Sequence, residues 1–239
     1  MPLSGATVLI VDDEVGLTGI FKIWFERAGC RVLTAANGAL ALELAETNCF
    51  DLLVSDIRMP VLDGIELTKR IKAIHRYLPK IIFISGFSDL GDRESYDLGV
   101  EAKLAKPIRR QDLINAAKQS MMDRLELWRG PPHADVRTTL EATFESWPIA
   151  LRKGEIAFGR GGFCARSRFA ARTGETVGLN LRFEADGHAL AGQGIVRWTA
   201  PQEEQVGIEI TSVDEPSLAW VCNSLAQNKA TSFIPGTAS

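Results

Sequence analysis

Five residues of this 239-residue sequence have the types and spacing to handle a phosphoryl group. Asp12 and Asp13 follow the apolar run Val8-Leu9-Ile10-Val11, and Asp56 closes Asp51-Leu52-Leu53-Val54-Ser55 and leads into Ile57-Arg58-Met59-Pro60. Ser85-Gly86 follows Ile81–Ile84, and Lys106-Pro107 follows Ala102–Ala105. Carboxylates brought together repel one another, and a hard divalent cation with oxygen ligands relieves that repulsion; Mg2+ suits a site that keeps several waters. A carboxylate held ionised in this way can attack phosphorus and form an acyl phosphate. Lys106 would bring a mobile positive charge to the phosphoryl oxygens, and the Ser85 hydroxyl would donate a hydrogen bond to them. Each residue alone has a plainer explanation. An acid after a strand caps a helix, and Lys-Pro or Ser-Gly makes a turn. Their joint placement, each just after an apolar run, favours one shared site.

The elements that must position them are legible as alternating apolar runs and amphipathic stretches, the pattern of a parallel sheet covered by helices on both faces. Strands are expected at Ala6–Val11, Arg31–Thr34, Leu52–Ser55, Ile81–Ile84 and Ala102–Ala105. Helices are expected at Glu14–Ala28, stopped by Gly29, at Asn37–Glu46, at Gly64–Ile74 and, more weakly, at Ser88–Leu98. The first carries Leu17, Ile20, Phe21, Trp24 and Phe25 at helical spacing, an expected core stripe. Five strands with intervening helices make an α/β doubly wound fold, in which ligand chemistry gathers at the carboxyl ends of the strands.

Composition sets the outer limits. The chain has room for one large domain or two ordinary ones, and its 46% hydrophobic and 24% charged residues suit a globular protein with a core. No run of 18 apolar residues is present, so no membrane span is expected. Met1-Pro2-Leu3-Ser4-Gly5-Ala6 has neither the basic region nor the apolar core of a signal peptide, which places the expectation in the cytoplasm. Cys30, Cys49, Cys164 and Cys222 are far apart in apolar contexts and read as buried thiols. The net charge of -3 argues against DNA binding by the whole chain, yet Arg152, Lys153, Arg160, Arg166, Arg168 and Arg172 face only Glu155 in their stretch, a local net of +5. That segment could hold an anion or an acidic protein face.

After Pro107 one long helix is expected, with Leu113, Ile114, Ala117, Met121, Leu125 and Trp128 at spacings of three and four, ending at Gly130-Pro131-Pro132. Its extension either packs on its own domain or forms a coiled contact between two chains. Beyond it, strands are expected at Val136–Phe144, Phe163–Arg166, Val177–Phe183, Leu190–Trp198 and Val206–Ile210, with an Asp186-Gly187 turn and a closing helix at Pro216–Leu225. Short strands of this kind suggest a small antiparallel barrel. Gln227–Ser239 reads as a loose tail. No helix-turn-helix, nucleophile elbow, Walker loop or histidine-rich metal spacing is present, so neither a DNA-binding output nor an enzyme is expected.

Residues 5 to about 122 resemble a response-regulator receiver domain, with a flavodoxin-like fold, through Val8–Asp13, Asp51–Pro60 with Asp63-Gly64, Ser85-Gly86 and Lys106-Pro107. The resemblance implies that Asp56 accepts a phosphoryl group from a sensor histidine kinase or phosphotransfer protein. It implies Mg2+ held by Asp13, Asp56 and the main-chain carbonyl of Arg58, with Asp12 acting through water. The sequence departs from the family at Lys103, where an inward-turning aromatic is usual. A charged side chain fills an apolar pocket poorly, so signal relay is expected through the Ser85-Gly86-Phe87 loop or through helix docking.

Residues 133–226 resemble, more loosely, a PilZ domain, through Gly161-Gly162-Phe163-Cys164, Thr173–Val177, Gly194–Trp198 and Val206–Ile210. PilZ domains bind cyclic di-GMP through an Arg-x-x-x-Arg segment and an Asp/Asn-x-Ser-x-x-Gly turn. Here Arg129 is followed four residues later by His133, the turn reads Ala157-Phe158-Gly159-Arg160-Gly161-Gly162, and Arg168 and Arg172 have the arginine spacing but follow the turn. Arg129, His133, Arg160, Arg168 and Arg172 are therefore assigned to a weak ligand or partner surface. The expected organisation is a receiver at 1–122, a helix extension and linker at 123–132, a PilZ-like barrel at 133–226 and a tail at 227–239. Three readings stay open: a response regulator whose degenerate PilZ-like output contacts an unknown downstream protein, with a homodimer formed through the extended helix; a dual-input regulator that also binds cyclic di-GMP; and a scaffold independent of phosphorylation.

Overall fold

The computed structural model describes residues 3–75, 77–86, 90–132, 136–228 and 230–238. The chain divides into two compact units, the first made of Met1–Gly91 with Leu98–Met122 and the second of Asp92–Asp97 with Asp123–Ser239.

The first unit holds a five-stranded sheet in the order β2-β1-β3-β4-β5. Its strands are β1 (Thr7–Val11), β2 (Arg31–Ala35), β3 (Leu52–Asp56), β4 (Lys80–Ser85) and β5 (Ala102–Ala105), and every pairing is parallel. The helices are α1 (Val15–Glu26), α2 (Gly38–Thr47), α3 (Gly64–Ile74) and α5 (Arg110–Met121); α4 (Asp92–Asp97), between β4 and β5 in the chain, clusters with the second unit. Two apolar layers flank the sheet. Val8, Ile10, Val54 and Ile82 pack with Phe21, Phe25 and Leu113 on one face, and Leu9, Leu53, Ile81 and Phe83 pack with Ala41, Leu67 and Ile71 on the other. Burial on both faces is why β1, β3 and β4 are continuous apolar runs rather than alternating ones, while the edge strands β2 and β5 are only partly buried. Ile20, expected in the core stripe of α1, faces outward, and Cys49 is exposed although Cys30 is buried.

The long helix expected after Pro107 is not continuous. α5 ends at Met121, Met122 adopts an extended conformation, and a short α6 (Arg124–Trp128) begins at Asp123, whose carboxylate accepts from Leu125 N–H at 2.8 Å. An aspartate that caps a new helix competes with continuing the old one. The packing of α6 also corrects both expectations for the extension. Trp128 is buried in the second unit's core and its indole N–H donates to Ile210 O at 2.9 Å, with Leu125 and Leu127 against the same core.

The second unit carries a curled six-stranded mixed sheet, β6-β9-β10-β11-β8-β7. Its strands are β6 (Thr139–Phe144), β7 (Ile156–Phe158), β8 (Gly162–Arg166), β9 (Thr176–Phe183), β10 (His188–Ala200) and β11 (Gln205–Val213). The expected all-antiparallel arrangement fails at one pair, because β6 runs parallel to β9. The crossover between β6 and β9 carries the helix α7 (Trp147–Arg152) and the β7–β8 pair, which return the chain so that it enters β9 in the direction of β6. β9 and β10 form the hairpin marked by Asp186-Gly187, where Gly187 has φ +67° and the Asp186 carboxylate accepts from Trp147 N–H. The closing helix is α8 (Glu215–Asn228). Phe144, Trp147, Phe158, Phe163, Phe183, Leu218 and Val221 fill the core between sheet and helices.

Residues 230–238 do not form the loose tail expected from their composition. Phe233, Ile234 and Ala238 are buried in a second, smaller cluster with Tyr96, Cys164 and Trp198. Three apolar side chains in a polar, Pro- and Gly-containing stretch found a common pocket, and burying an aromatic and an isoleucine provides a few kcal/mol against the entropy of ordering the segment.

Candidate phosphoacceptor site

The carboxyl ends of β1 and β3 lie side by side, because β1 pairs with both β2 and β3 and the sheet reverses direction of growth there. Such a switch point opens a crevice at the strand ends. Asp12 and Asp13 leave β1 into it and Asp56 is the last residue of β3; one carboxylate oxygen from each of the three lies within 4.8 Å of the others. Asp12 and Asp56 are buried while Asp13 is exposed, so the cluster has a dry floor and a wet rim.

Lys106 reaches in from the end of β5. Its ammonium lies 2.8 Å from Asp56 Oδ2, 3.1 Å from Asp12 Oδ2 and 3.1 Å from Glu14 Oε1. The neighbouring backbone fixes its start point, since Lys106 N–H donates to Ser85 O at 2.9 Å. Ser85 is itself buried at the end of β4, so strands β1, β3, β4 and β5 deliver all five expected residues to one end of the sheet.

The electrostatics follow from that packing. Burial, the largest influence, pushes the Asp12 carboxyl above its usual range, against the hydrogen bonds it receives from Glu14 N–H and Lys106. Burial also acts to lower the Lys106 ammonium, but hydrogen bonds to Asp56, Glu14 and Asp12 outweigh it and the net shift is upward, so Lys106 stays charged. Three carboxylates on one ammonium, with Asp13 beside them, leave excess negative charge, and that fits a divalent cation taking oxygen ligands.

The helix-cap explanation of the acidic stretch does not hold for Glu14. It sits at the N-cap position of α1 without a side-chain cap, and its carboxylate turns to Lys106 instead. Glu14 is the site residue that sequence reasoning did not assign, although its position directly after Asp12-Asp13 was a signal. The loop after Asp56 is held by short-range contacts: Arg58 N–H reaches Asp56 Oδ1 at 3.4 Å, Ile57 N–H donates to Ile84 O, and Gly64 N–H donates to Ile57 O. Gly64 is required here, since a Cβ at that position would stand 2.2 Å from Asp56 O. Asp63 caps α3 through Glu66 N–H at 2.8 Å. Lys103, at the position where the resemblance leads one to expect an aromatic, donates from its ammonium to Leu90 O.

A family model for the response regulator receiver domain matches residues 8–118. The response regulator receiver protein CpdR of Brucella abortus is 35% identical over 116 residues, 48% of this chain and 96% of that protein. The chain belongs to the response regulator receiver family. The receiver match to the alkaline phosphatase synthesis transcriptional regulatory protein PhoP of Bacillus subtilis is 31% identical over 120 residues and spans half of each chain. Among solved structures, the receiver domain of a sensor histidine kinase from Pseudomonas aeruginosa, with a magnesium ion coordinated in its active-site cleft, is 31% identical over 48% of this chain and 97% of that one, with a TM-score of 0.43.

The residues assigned to a second surface do not gather in this way. Arg129 pairs with Glu215 at 3.9 Å, Arg168 with Glu204 at 2.7 Å, and Arg172 N–H donates to Glu175 Oε2 at 3.0 Å. Arg160 donates from Nε to Thr231 O at 3.1 Å, and His133 lies outside the described residues. Folding also dilutes the basic segment counted in the sequence, since Lys153 meets Glu145 at 3.0 Å and Arg168 meets Glu204. Arg137, not singled out in the sequence, lines an open depression with Arg172, Glu175 and Thr176.

Proposed function

We infer that this receiver is the phosphoacceptor of a two-component pathway, taking a phosphoryl group on Asp56 from a phosphohistidine of a sensor kinase or phosphotransfer protein. The observation that carries the reading is the contact of Lys106 Nζ with both Asp56 and Asp12 beside the three-carboxylate cluster. An Asp56 carboxylate oxygen attacks phosphorus, the P–N bond to the donor histidine breaks, and the electron pair returns to the imidazole, which takes a proton. Lys106 remains protonated and moves its charge toward the transferred oxygens, with the Ser85 hydroxyl as a further donor. Asp13, Asp56 and the Arg58 carbonyl would hold Mg2+, with Asp12 assisting through water; bound there, the cation neutralises charge on the phosphoryl oxygens.

The second unit is the output. Its six-stranded sheet with the closing helix α8 is a PilZ-like module adapted to contact a protein, and the chain acts in the cytoplasm as a regulator rather than an enzyme. Ala157 and Gly159 offer no side-chain donors where a nucleotide-gripping turn needs them, and loss of several charged hydrogen bonds at about 1.5–3 kcal/mol each removes micromolar affinity for cyclic di-GMP. Intact-mass measurement after incubation with acetyl phosphate and Mg2+ is expected to show one phosphoryl adduct that Asp56→Asn lacks; no adduct on the native chain overturns the phosphoacceptor reading. Calorimetry with cyclic di-GMP is expected to show no saturable heat at micromolar ligand, and a clear isotherm overturns the assignment of the output.

A further inference from the structure

The turn that would grip a nucleotide is already covered by the chain itself. Arg160 N–H donates to Ser232 O and Gly161 N–H to Phe233 O, each at 2.9 Å, while Arg160 Nε donates to Thr231 O at 3.1 Å. On its other side the same segment binds α4. Phe233 N–H and Ile234 N–H donate to Tyr96 O at 2.9 and 3.3 Å, and Asp97 Oδ1 accepts from Ser232 Oγ at 3.1 Å and Gly236 N–H at 2.9 Å. Arg93 Nε donates to Gly236 O. Main-chain hydrogen bonds on two sides with a side chain in a pocket are how a peptide segment is recognised.

The pocket has a defined shape. The Phe233 ring lies against Gly161, where a Cβ would meet it at 2.1 Å, and a Cβ on Gly159 would stand 2.5 Å from the Phe233 carbonyl oxygen. Tyr96 packs on the ring at 6.0 Å between centroids and the Arg124 guanidinium stands 4.6 Å from its centroid. Gly161 thus leaves room for the aromatic ring, and Gly159, which lacks a nucleotide-gripping side chain, leaves room for the Phe233 main chain. On the α4 side, Arg93 is tied by a bidentate pair to Glu203 at 2.7 and 2.8 Å and lies 5.2 Å from the Trp198 ring centroid.

We propose that the Ala157–Gly162 turn and α4 form a peptide groove whose occupant is the chain's own Phe233-Ile234-Pro235-Gly236, an internal latch that closes the turn and holds α4 on the second unit. A partner that uses this turn must displace the segment, so it is expected to present an aromatic-aliphatic pair in the same bent conformation. The latch needs no phosphorylation, and its test is independent of the phosphoacceptor reading.

The test compares the full chain, its Phe233→Ala variant and a chain ending at Ala230, by hydrogen-exchange mass spectrometry. Amides of residues 92–97 and 159–163 are expected to exchange at least tenfold faster in both altered chains, with far-UV circular dichroism unchanged. A synthetic peptide of residues 230–239 should restore protection to the shortened chain, and the same peptide carrying Phe233→Ala should bind at least tenfold more weakly. Gly161→Val in the shortened chain should abolish peptide binding. Unchanged exchange in both altered chains, or equal rescue by the two peptides, would overturn the latch.

Discussion

Lys106 Nζ sits 2.8 Å from Asp56 Oδ2, joining residues 50 positions apart in the chain. The same ammonium holds Asp12 and Glu14, so one cation spans the mouths of β1, β3 and β5. Lys106→Met keeps the length of the side chain and removes its charge. A charge-assisted hydrogen bond to the phosphoryl group contributes about 1.5–3 kcal/mol, so adduct formation with acetyl phosphate is expected to slow by roughly 10- to 100-fold. A time course of intact mass measures this, and an unchanged rate would remove Lys106 from the transfer step.

Gly64 lies where the chain leaves Asp56 for α3. A Cβ there would stand 2.2 Å from Asp56 O and 3.0 Å from Ser55 Oγ, and backbone cannot move aside as a side-chain tip can. Gly64→Ala is expected to destabilise the receiver by about 1–3 kcal/mol despite alanine's better helix propensity. Urea unfolding of the variant measures it; a neutral result would mean that the loop relaxes freely.

Burial pushes the Tyr96 hydroxyl up to about 12, with Glu209 and Asp92 acting in the same direction and Arg197 against it. The unfolded chain releases this proton near pH 10 while the folded chain keeps it, so the folded state binds more protons between pH 10 and 12 and its stability falls across that window. Two units correspond to about 3 kcal/mol at most. Tyr96→Phe is expected to lose this part of the alkaline destabilisation, read as a stability difference from the native chain that grows between pH 10 and 12. Parallel pH profiles for the two proteins would contradict the prediction.

Trp128 anchors α6 in the second unit, 2% exposed and hydrogen-bonded to Ile210 O. Trp128→Ala removes the ring and strands a buried carbonyl, a loss of about 3–5 kcal/mol. Tryptophan fluorescence during urea unfolding should show the second unit melting earlier, since Trp147, Trp198 and Trp220 remain there as reporters. Melting at the native concentration of urea would show that α6 is dispensable to that core.

The receiver was legible because β1, β3 and β4 are buried on both faces and appear as unbroken apolar runs, each ending at a residue with chemistry, as β5 ends at Lys106. Asp12, Asp13, Asp56, Ser85 and Lys106 could be placed at strand ends, and the parallel order of the sheet brings strand ends together. Glu14 escaped because a carboxylate at a helix start has an ordinary explanation, and only the position of Lys106 decides against it. In the second half the same reasoning found the longer strands but missed β7, with three residues, and α7, although Ser146 followed by Trp147-Pro148 carries a capping signal. The break at Met122 was hidden because Leu125 and Trp128 continue the apolar spacing of α5 while facing a different core.

Sequence by itself determined the doubly wound fold and the identity of the acid cluster, since periodicity and residue type are local properties. Tertiary structure decided the parallel β6–β9 pair, the new helix at Asp123 and the burial of Phe233 between the Gly159–Gly162 turn and α4. Each of these depends on a partner distant in the chain: Thr139 beside Gly178, Trp128 beneath Ile210, and Phe233 against Tyr96. Burial energy is shared between the two partners of a contact, and neither stretch alone carries a pattern that names the other.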